Sequence, residues 1–191
     1  MFLSKDARCQ DSSAILNRRD FLRLGAGVTA TLLAAPVFAK ISRQQERSLS
    51  FYHTHTGETT STVYWAEGDY LESGLQDINT ILRDHRSGEI YTMDSRLLDL
   101  LYVLQSQVDS TETYQIISGY RSPATNASLR KKGSGVAKRS YHMQGKAIDV
   151  RLPGCELKQL RTAALALKSG GVGYYPGSDF IHVDVGPVRH W

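Results

Sequence analysis

Two short stretches of the sequence carry the residue types that bind a catalytic metal ion. The first, residues 140–149, holds His142 and Asp149 in an H-x6-D spacing, and the second, residues 179–184, holds His182. Two imidazoles and one carboxylate leave the fourth position of a tetrahedral zinc ion open to water, which distinguishes a catalytic site from a closed structural one. Bound water acidified to a pKa of roughly 7 becomes a nucleophile near neutral pH.

Hydrolysis at such a site needs two helpers, a base and a cation. Asp179, three residues before His182, is the leading candidate for the base that takes a proton from water. Asp184, two residues after His182, is the other candidate, although it could instead orient an imidazole as a hydrogen-bond partner. Arg121 follows a short predicted strand and could bind the oxyanion that forms at an attacked carbonyl, or it could belong to a surface ion pair.

Strand alternation indicates how these side chains are brought together. In residues 146–152, Asp149 lies on the face opposite to an aliphatic stripe, and His182 does the same in residues 180–185. If the two strands are neighbours, Asp149 and His182 face one cleft. The Q-G pair before the first strand would let a turn direct His142 back toward that cleft.

The remaining pattern predicts helices and strands around these segments. In chain order they are a hairpin of strands at 49–54 and 59–65, helices at 71–82 and 94–108, a strand at 114–118, a short helix capped by Thr125, a helix at 156–168 closed by Gly170 and Gly171, and a strand at 172–175. Helices that lie earlier in the sequence and strands that lie later in it indicate an α+β fold with a small, mainly antiparallel sheet and packed helices.

Three further features each have a functional and a structural interpretation. His53 and His55 lie two residues apart and share a strand face, which permits metal binding, but a pair without a third ligand favours hydrogen bonding. The basic stretch 130–139, just before His142, is either a solvated loop or a positive rim that attracts an anionic substrate. Trp191 and the aromatic residues before it are expected to close the core rather than to touch substrate.

The pattern of the first 39 residues predicts an export signal rather than a part of the folded domain. Arg18 and Arg19 form a twin-arginine pattern, and the apolar run that follows has roughly 12 residues, fewer than the roughly 20 of a membrane-spanning helix. A small-residue cleavage site comes next. We therefore expect a cleaved signal at 1–39, a mobile arm at 40–48 and a single domain at 49–191, located in the periplasm.

Charge and cysteine content narrow the class of function. Residues 40–191 hold 18 of the 23 basic and 16 of the 19 acidic residues, a net charge of +2, which gives no basis for nucleic-acid binding. Cys155 is the one cysteine outside the signal, so no internal disulfide can stabilise the exported domain. Its stability must come from the core and from any bound metal.

Three ordered motifs resemble one group of enzymes. They are S-G-Y-R-S at 118–122, S-x-H-x-x-G-x-A-x-D at 140–149 and D-x-x-H-x-D at 179–184. The combination resembles the zinc D-Ala-D-Ala peptidase group, which includes VanX-type dipeptidases, phage L-alanyl-D-glutamate endolysins and the hedgehog fold. Within that group the chain is most similar to MepK-type exported murein endopeptidases, whose pattern extends to H-T-G-E at 55–58, L-R-D-H-R at 82–86, G-V-G-Y-Y-P at 171–176 and G-P-V-R-H-W at 186–191.

The resemblance implies one zinc ion per chain, held by His142, Asp149 and His182, with Arg121 binding the substrate carbonyl and oxyanion. It implies a hydrolase that cleaves the cross-linking stem peptides of peptidoglycan. We expect a monomer that touches the membrane only during export. Many relatives have Glu where this chain has Asp179, so the identity of the base stays open between Asp179 and Asp184.

Two other functions compete with this interpretation. A catalytically silent, zinc-stabilised cell-wall binding module would keep the metal ligands without turning over substrate. A 2-His-1-carboxylate iron oxygenase uses the same ligand types, but the sequence offers no second anchoring site for a cosubstrate.

Overall fold

The computed structural model describes residues 46–133 and 135–191. The predicted export signal and residues 40–45 of the predicted arm lie outside the described residues. Residues 46–48, also assigned to the arm, instead begin the first strand, because they pair with residues 63–66 and lengthen the hairpin. Within the described ranges, no helix combines the length and the apolar character that crossing a bilayer requires.

One sheet of eight strands runs through the described part of the chain. The strands are β1 (Glu46–His53), β2 (Thr59–Ala66), β3 (Asp69–Tyr70), β4 (Tyr114–Ser118), β5 (Ala147–Arg151), β6 (Gly171–Tyr175), β7 (Phe180–Asp184) and β8 (Arg189–His190). Their order is β3-β2-β1-β4-β5-β7-β6-β8, in which β1–β4 and β6–β8 pair in parallel and the other neighbours are antiparallel. The mainly antiparallel sheet is thus confirmed, although it is larger than the small sheet predicted.

Four α-helices occur in the described ranges. They are α1 (Glu72–Ile81), α2 (Ser95–Gln107), α3 (Pro123–Lys132) and α4 (Leu157–Leu167). Together with the sheet they confirm the predicted α+β class.

The helix ends confirm one predicted cap and correct two others. Asp94 caps α2 as predicted, since its side chain accepts a hydrogen bond from a backbone N–H of the first turn. Ser122, not Thr125, caps α3, because its hydroxyl accepts a hydrogen bond from the Thr125 backbone N–H. Helix α4 ends at Leu167 and is capped by Lys168, which adopts the left-handed conformation, and Gly171 begins β6 instead of closing the helix.

The apolar core lies between one face of the sheet and helices α1, α2 and α4. The central strands β5 and β7 and the helix α2 supply side chains with no exposed surface, among them Ile148, Val150, Ile181, Val183, Leu97, Leu98, Leu101 and Leu104. Because successive strand residues point to opposite faces, the alternate residues of β5 and β7 project away from this core. The predicted ligands belong to that second set.

Candidate metal centre and cleft

Neighbouring strands bring Asp149 and His182 together. In the antiparallel register of β5 and β7 the two residues lie directly opposite each other. Both side chains leave the strands on the face opposite to the core, and both are buried. The predicted pairing of the two motif segments is therefore confirmed.

A short 3-10 turn places His142 beside this pair. The turn, Tyr141–Gln144, is capped by Ser140, whose hydroxyl accepts a hydrogen bond from the His142 backbone N–H. Gly145 ends the turn in the left-handed region, at φ +63°, and the chain then enters β5. A Cβ at Gly145 would also overlap the Thr92 carbonyl oxygen, so the position needs glycine both for its backbone angle and for its missing side chain.

Three donor atoms of His142, Asp149 and His182 converge on one point. His142 Nε2 lies 3.2 Å from His182 Nδ1, and Asp149 Oδ1 lies 3.3 Å from the first nitrogen and 2.9 Å from the second. Ligand atoms about 2.0–2.1 Å from a tetrahedral zinc ion are roughly 3.3 Å apart, so the three atoms fit such an ion. Among the residues that the structure describes, no other group of His, Cys, Asp and Glu has this spacing.

The second ring nitrogen of each histidine is held by the protein, which fixes the tautomer. His142 Nδ1 donates to the Gly119 carbonyl oxygen at 2.7 Å, and His182 Nε2 donates to Asp184 Oδ2 at 3.0 Å. Each ring therefore presents a lone pair to the shared point. Burial opposes ionisation of Asp149, but the two imidazoles hold the pKa of its carboxyl below the ordinary value.

Asp184 orients His182 from the buried side of the site. Its carboxylate is fully buried and accepts hydrogen bonds from Arg189, from the backbone N–H groups of Gly171 and Gly186, and from His182. Burial opposes its ionisation, and these hydrogen bonds bring the pKa of Asp184 below its ordinary value. With its lone pairs engaged, Asp184 has the contacts of the orienting role and none that would support the role of base.

Arg121 follows β4, and its guanidinium lies beside the ligand cluster. Nη2 is 3.7 Å from Asp149 Oδ2 and 3.3 Å from the Ser118 hydroxyl, and the side chain is 12% exposed. Its Nε is buried and has no hydrogen-bond partner within the described ranges. Burial lowers the pKa of Arg121, and the negative charge of Asp149 partly offsets this decrease. An arginine nevertheless stays protonated in proteins. A buried cation with an unused donor is suited to bind an oxyanion or a carboxylate.

Asp84 holds the turn that carries Arg121, a role that sequence reasoning missed. Its buried carboxylate accepts a hydrogen bond from the Ser122 backbone N–H at 2.9 Å. On the same segment, the Leu82 carbonyl oxygen accepts a hydrogen bond from the Tyr120 backbone N–H. Burial opposes ionisation, but the hydrogen bonds bring the pKa of Asp84 below its ordinary value. The signal was the L-R-D-H-R motif, which contains Asp84 but does not indicate which turn it holds.

The structure does not bring Asp179 to the ligand cluster. It follows the turn Pro176–Ser178 in the left-handed conformation, at φ +52°. Its carboxylate is 65% exposed and accepts a hydrogen bond from Arg151 Nη1 at 3.1 Å. Because Arg151 lies two positions after Asp149 on the same strand face, the ion pair holds Asp179 about 7 Å along the strand from the ligands.

The ligand cluster opens into a cleft of about 680 Å³. Arg121 and residues 135–137, 139 and 140 line it together with a set of aromatic side chains, Tyr141, Tyr175, Phe180 and Trp191. Arg139 is among the lining residues, whereas the first three residues of the basic stretch belong to the last turn of α3. The prediction that Trp191 closes the core is wrong, because the residue is 48% exposed and forms part of the cleft wall.

His53 and His55 are joined by a third histidine, His85, from the loop after α1. The ring centroids of His55 and His85 are 4.4 Å apart, and those of His53 and His85 are 5.2 Å apart. His53 Nδ1 accepts a hydrogen bond from the His55 backbone N–H at 3.2 Å, so this nitrogen is already engaged. The rings do not present donor atoms at metal-binding spacing in the described structure, and the contacts support the hydrogen-bonding interpretation.

Comparison with known proteins gives the family of the chain. The family described as Peptidoglycan L,D-endopeptidase MepK matches residues 41–191. The Peptidoglycan L,D-endopeptidase MepK of Escherichia coli (strain K12) is 43% identical over 176 residues, 92% of this chain and 97% of that protein. The Probable peptidoglycan L,D-endopeptidase MepK of Haemophilus influenzae is 39% identical over 177 residues, 92% of this chain and 95% of that protein. No solved structure gives a significant match. With the motifs, the fold and the ligand geometry in agreement, the chain belongs to the peptidoglycan L,D-endopeptidase MepK family.

Proposed function

We propose that this chain is a zinc-dependent endopeptidase that hydrolyses the amide bonds between cross-linked stem peptides of peptidoglycan during cell-wall remodelling. The observation that carries the proposal is the convergence of three donor atoms 2.9–3.3 Å apart beside a buried arginine. Family membership adds peptidase chemistry, since the relatives are named peptidoglycan L,D-endopeptidases. Their names also favour a scissile amide between an L-configured and a D-configured centre.

His142, Asp149 and His182 would hold the zinc ion. When bound, zinc acts as a Lewis acid that polarises a carbonyl oxygen and lowers the pKa of a water molecule. An iron oxygenase uses the same three ligand types, but the peptidase relatives favour zinc. Gly119 and Asp184 keep both histidine rings in the tautomer that such an ion needs.

Arg121 binds the carbonyl oxygen of the scissile amide and stabilises the negative charge that develops on it. Its guanidinium contacts Ser118 and Asp149, and its Nε hydrogen is left for another acceptor. Because the cation is fixed before substrate arrives, little reorganisation is needed when the charge forms. Arg139 at the mouth of the cleft attracts the free carboxylates of a stem peptide.

Asp179 acts as the general base once its carboxylate turns from Arg151 into the cleft. The ion pair with Arg151 lies on the surface, where such pairs contribute little to stability and exchange readily. Asp179 directly precedes Phe180, which lines the cleft, so a carboxylate released from Arg151 starts from the edge of the cleft.

Residues 1–39 act as a cleaved twin-arginine signal that delivers the folded domain to the periplasm, where its substrate lies. The domain then begins with β1 at Glu46 and works as a monomer. The three shared motifs support a fold of the hedgehog/D-Ala-D-Ala peptidase type.

Cell fractionation tests the export step. Replacing both Arg18 and Arg19 by Lys should leave the protein in the cytoplasm, and periplasmic recovery of that variant would refute the export step.

Digestion of isolated sacculi by the purified full chain tests this function. Zinc-loaded protein should convert cross-linked muropeptide dimers into monomers, a chelator should stop the reaction, and added zinc should restore it. Arg121→Met should lower the rate about 10²–10³-fold while zinc content and binding to sacculi are retained. If zinc-loaded wild-type protein binds sacculi but leaves the peak of cross-linked dimers unchanged, the chain is a silent cell-wall binding module and the proposed function is refuted.

A further inference from the structure

Trp191 forms a fixed wall of the cleft next to a metal ligand. Its indole lies 5.3 Å from the ring of His182, centroid to centroid, and the residue is 48% exposed. Its backbone pairs with β6, donating to the Val172 carbonyl oxygen and accepting from the Tyr174 N–H. An aromatic side chain that is half open to solvent, yet anchored by strand pairing beside the ligands, presents its surface to the cleft.

Three further contacts fix the orientation of the indole. Its Nε1 donates to the Tyr175 hydroxyl at 2.7 Å. The Arg189 guanidinium lies 5.1 Å from the ring centroid and also binds Asp184. Gly173 lies against the ring edge, where a Cβ would come within 2.8 Å of indole atoms, so a larger residue would displace the indole. The wall is therefore built into β6 and β8 rather than carried by a loop.

We propose that Trp191 and Tyr175 bind the polymethylene arm of the diamino acid that carries the cross-link. This subsite rests on the proposed function, whose substrate has charged groups separated by methylene groups. The strand order β4-β5-β7-β6-β8 sets Arg121 and Trp191 on opposite sides of the ligands. A substrate amide between them offers its oxygen and carboxylates to the arginine side, which leaves the apolar arm for the aromatic side.

The distance to His182 decides which part of the substrate reaches this wall. An indole 5.3 Å from a metal ligand contacts groups attached directly to the residues of the scissile amide. The glycan is separated from the cross-linking residue by other residues of the stem peptide, each adding about 3.3 Å of extended chain. Arg189 also covers one face of the indole, so the remaining surface suits a methylene chain better than a stacked sugar ring.

Two soluble cross-linked peptides test this subsite. One carries diaminopimelate as the cross-linking residue, and the other carries 2,4-diaminoglutarate, which keeps both carboxylates but lacks two methylene groups. Wild-type protein should favour the longer arm in kcat/KM by at least about tenfold, because each methylene in an apolar subsite contributes to discrimination. Trp191→Ala should reduce this preference to less than about threefold, and Tyr175→Phe, which removes the acceptor of the indole N–H, should give an intermediate preference.

Trp65→Ala is the matched control. Trp65 also has an arginine over its ring, the Arg47 guanidinium at 4.4 Å, but it lies on β2, four strands away from β7. This variant should keep the wild-type preference.

The preference ratio, measured together with zinc content, separates the ways in which the subsite could fail. If Trp191→Ala slows both peptides equally and keeps the ratio, the residue only supports the structure and the subsite is refuted. If Trp191→Ala loses activity only on a muropeptide dimer that retains its glycan and not on the two peptides, the wall binds a sugar. This result would also refute the subsite. If zinc-loaded wild-type protein hydrolyses neither peptide, the proposed function itself fails, and the subsite fails with it.

Discussion

At the scale of single residues, each histidine of the candidate metal centre uses the ring nitrogen that faces away from the cluster to donate a hydrogen bond to the protein. His142 donates from Nδ1 to the Gly119 carbonyl oxygen, and His182 donates from Nε2 to Asp184. Such partners fix both the tautomer and the direction of the ring, and their removal typically costs about 10–100-fold in metal affinity. The ligating atoms are therefore selected by hydrogen bonds of the protein itself.

A pair of substitutions at Asp179 tests the proposed base. Asp179→Asn should lower kcat about 10²–10⁴-fold, because the amide cannot accept a proton, while zinc content stays unchanged. Asp179→Glu, which keeps a carboxylate, should retain far more activity, and Arg151→Gln, which removes only the partner of the resting ion pair, should not lower kcat. Steady-state kinetics on a muropeptide dimer measure all three, and an unchanged kcat in Asp179→Asn would assign the base to another group.

The cluster of His142, Asp149 and His182 could be predicted from the sequence because metal binding restricts both the residue type and the strand face. Alternation predicts the strand faces of Asp149 and His182, the glycine-containing turn predicts the direction of His142, and the family resemblance names the three together. The position of Asp179 could not be predicted, since it depends on a left-handed backbone angle and on the distant partner Arg151. The exposure of Trp191 likewise depends on the pairing of β8 with β6, which two strand residues do not reveal.

At the scale of elements, the turn between Ser140 and β5 leaves no room for a side chain at Gly145. Gly145→Ala should destabilise the protein by more than the roughly 1–2 kcal/mol of a left-handed alanine, because the new Cβ would also overlap the Thr92 carbonyl oxygen. The same substitution should weaken zinc binding, since the turn carries His142. Urea unfolding and zinc titration provide the two measurements.

Gly57→Ala is the matched control for this turn. Gly57 also has a positive φ, of 75°, but a Cβ there would meet no atom within 4 Å. Its alanine variant should therefore show the backbone cost alone and an unchanged zinc affinity. Equal destabilisation of the two variants would contradict the close packing assigned to Gly145.

Most helices and strands follow from periodicity, whereas their ends depend on local competition. The sequence pattern predicts Thr125 as the cap of α3, but the structure uses Ser122, whose hydroxyl accepts a hydrogen bond from the Thr125 backbone N–H. Residues 46–48 read as a polar arm, yet pairing with β2 draws them into β1. Polar strand ends of this kind are stabilised by the neighbouring strand and leave little signal in the sequence.

At the scale of the whole molecule, the histidine cluster at the end of β1 makes stability depend on pH. Burial lowers the pKa of His85 to about 4, and burial likewise holds the pKa of His53 below its ordinary value of 6.5. At this cluster the folded protein therefore binds fewer protons than the unfolded chain between about pH 6.5 and 4, and the contribution of the cluster to the free energy of unfolding decreases as pH falls through that window. The charged and titratable groups that act on the cluster are His55, Glu58, Arg83, Asp84 and Arg86.

Urea unfolding at pH 7.5 and pH 5.0 measures this dependence. Wild-type protein should lose stability at the lower pH, and His85→Gln should lose less, because one half-buried neutral imidazole no longer has to stay unprotonated. His190→Gln, at an exposed position, is the control and should behave like wild type. An identical loss in wild type and His85→Gln would show that the cluster does not cause the effect.

The central claim is that one metal ion, bound by His142, Asp149 and His182, is the site of amide hydrolysis. The most direct measurement titrates zinc into metal-free full-length protein and follows bound zinc and hydrolysis of a cross-linked muropeptide dimer in the same samples. We predict that both rise together and saturate at one zinc ion per chain, and that folded His142→Ala protein shows neither at the same zinc concentrations. Full hydrolysis by metal-free protein, or by His142→Ala, would contradict the account.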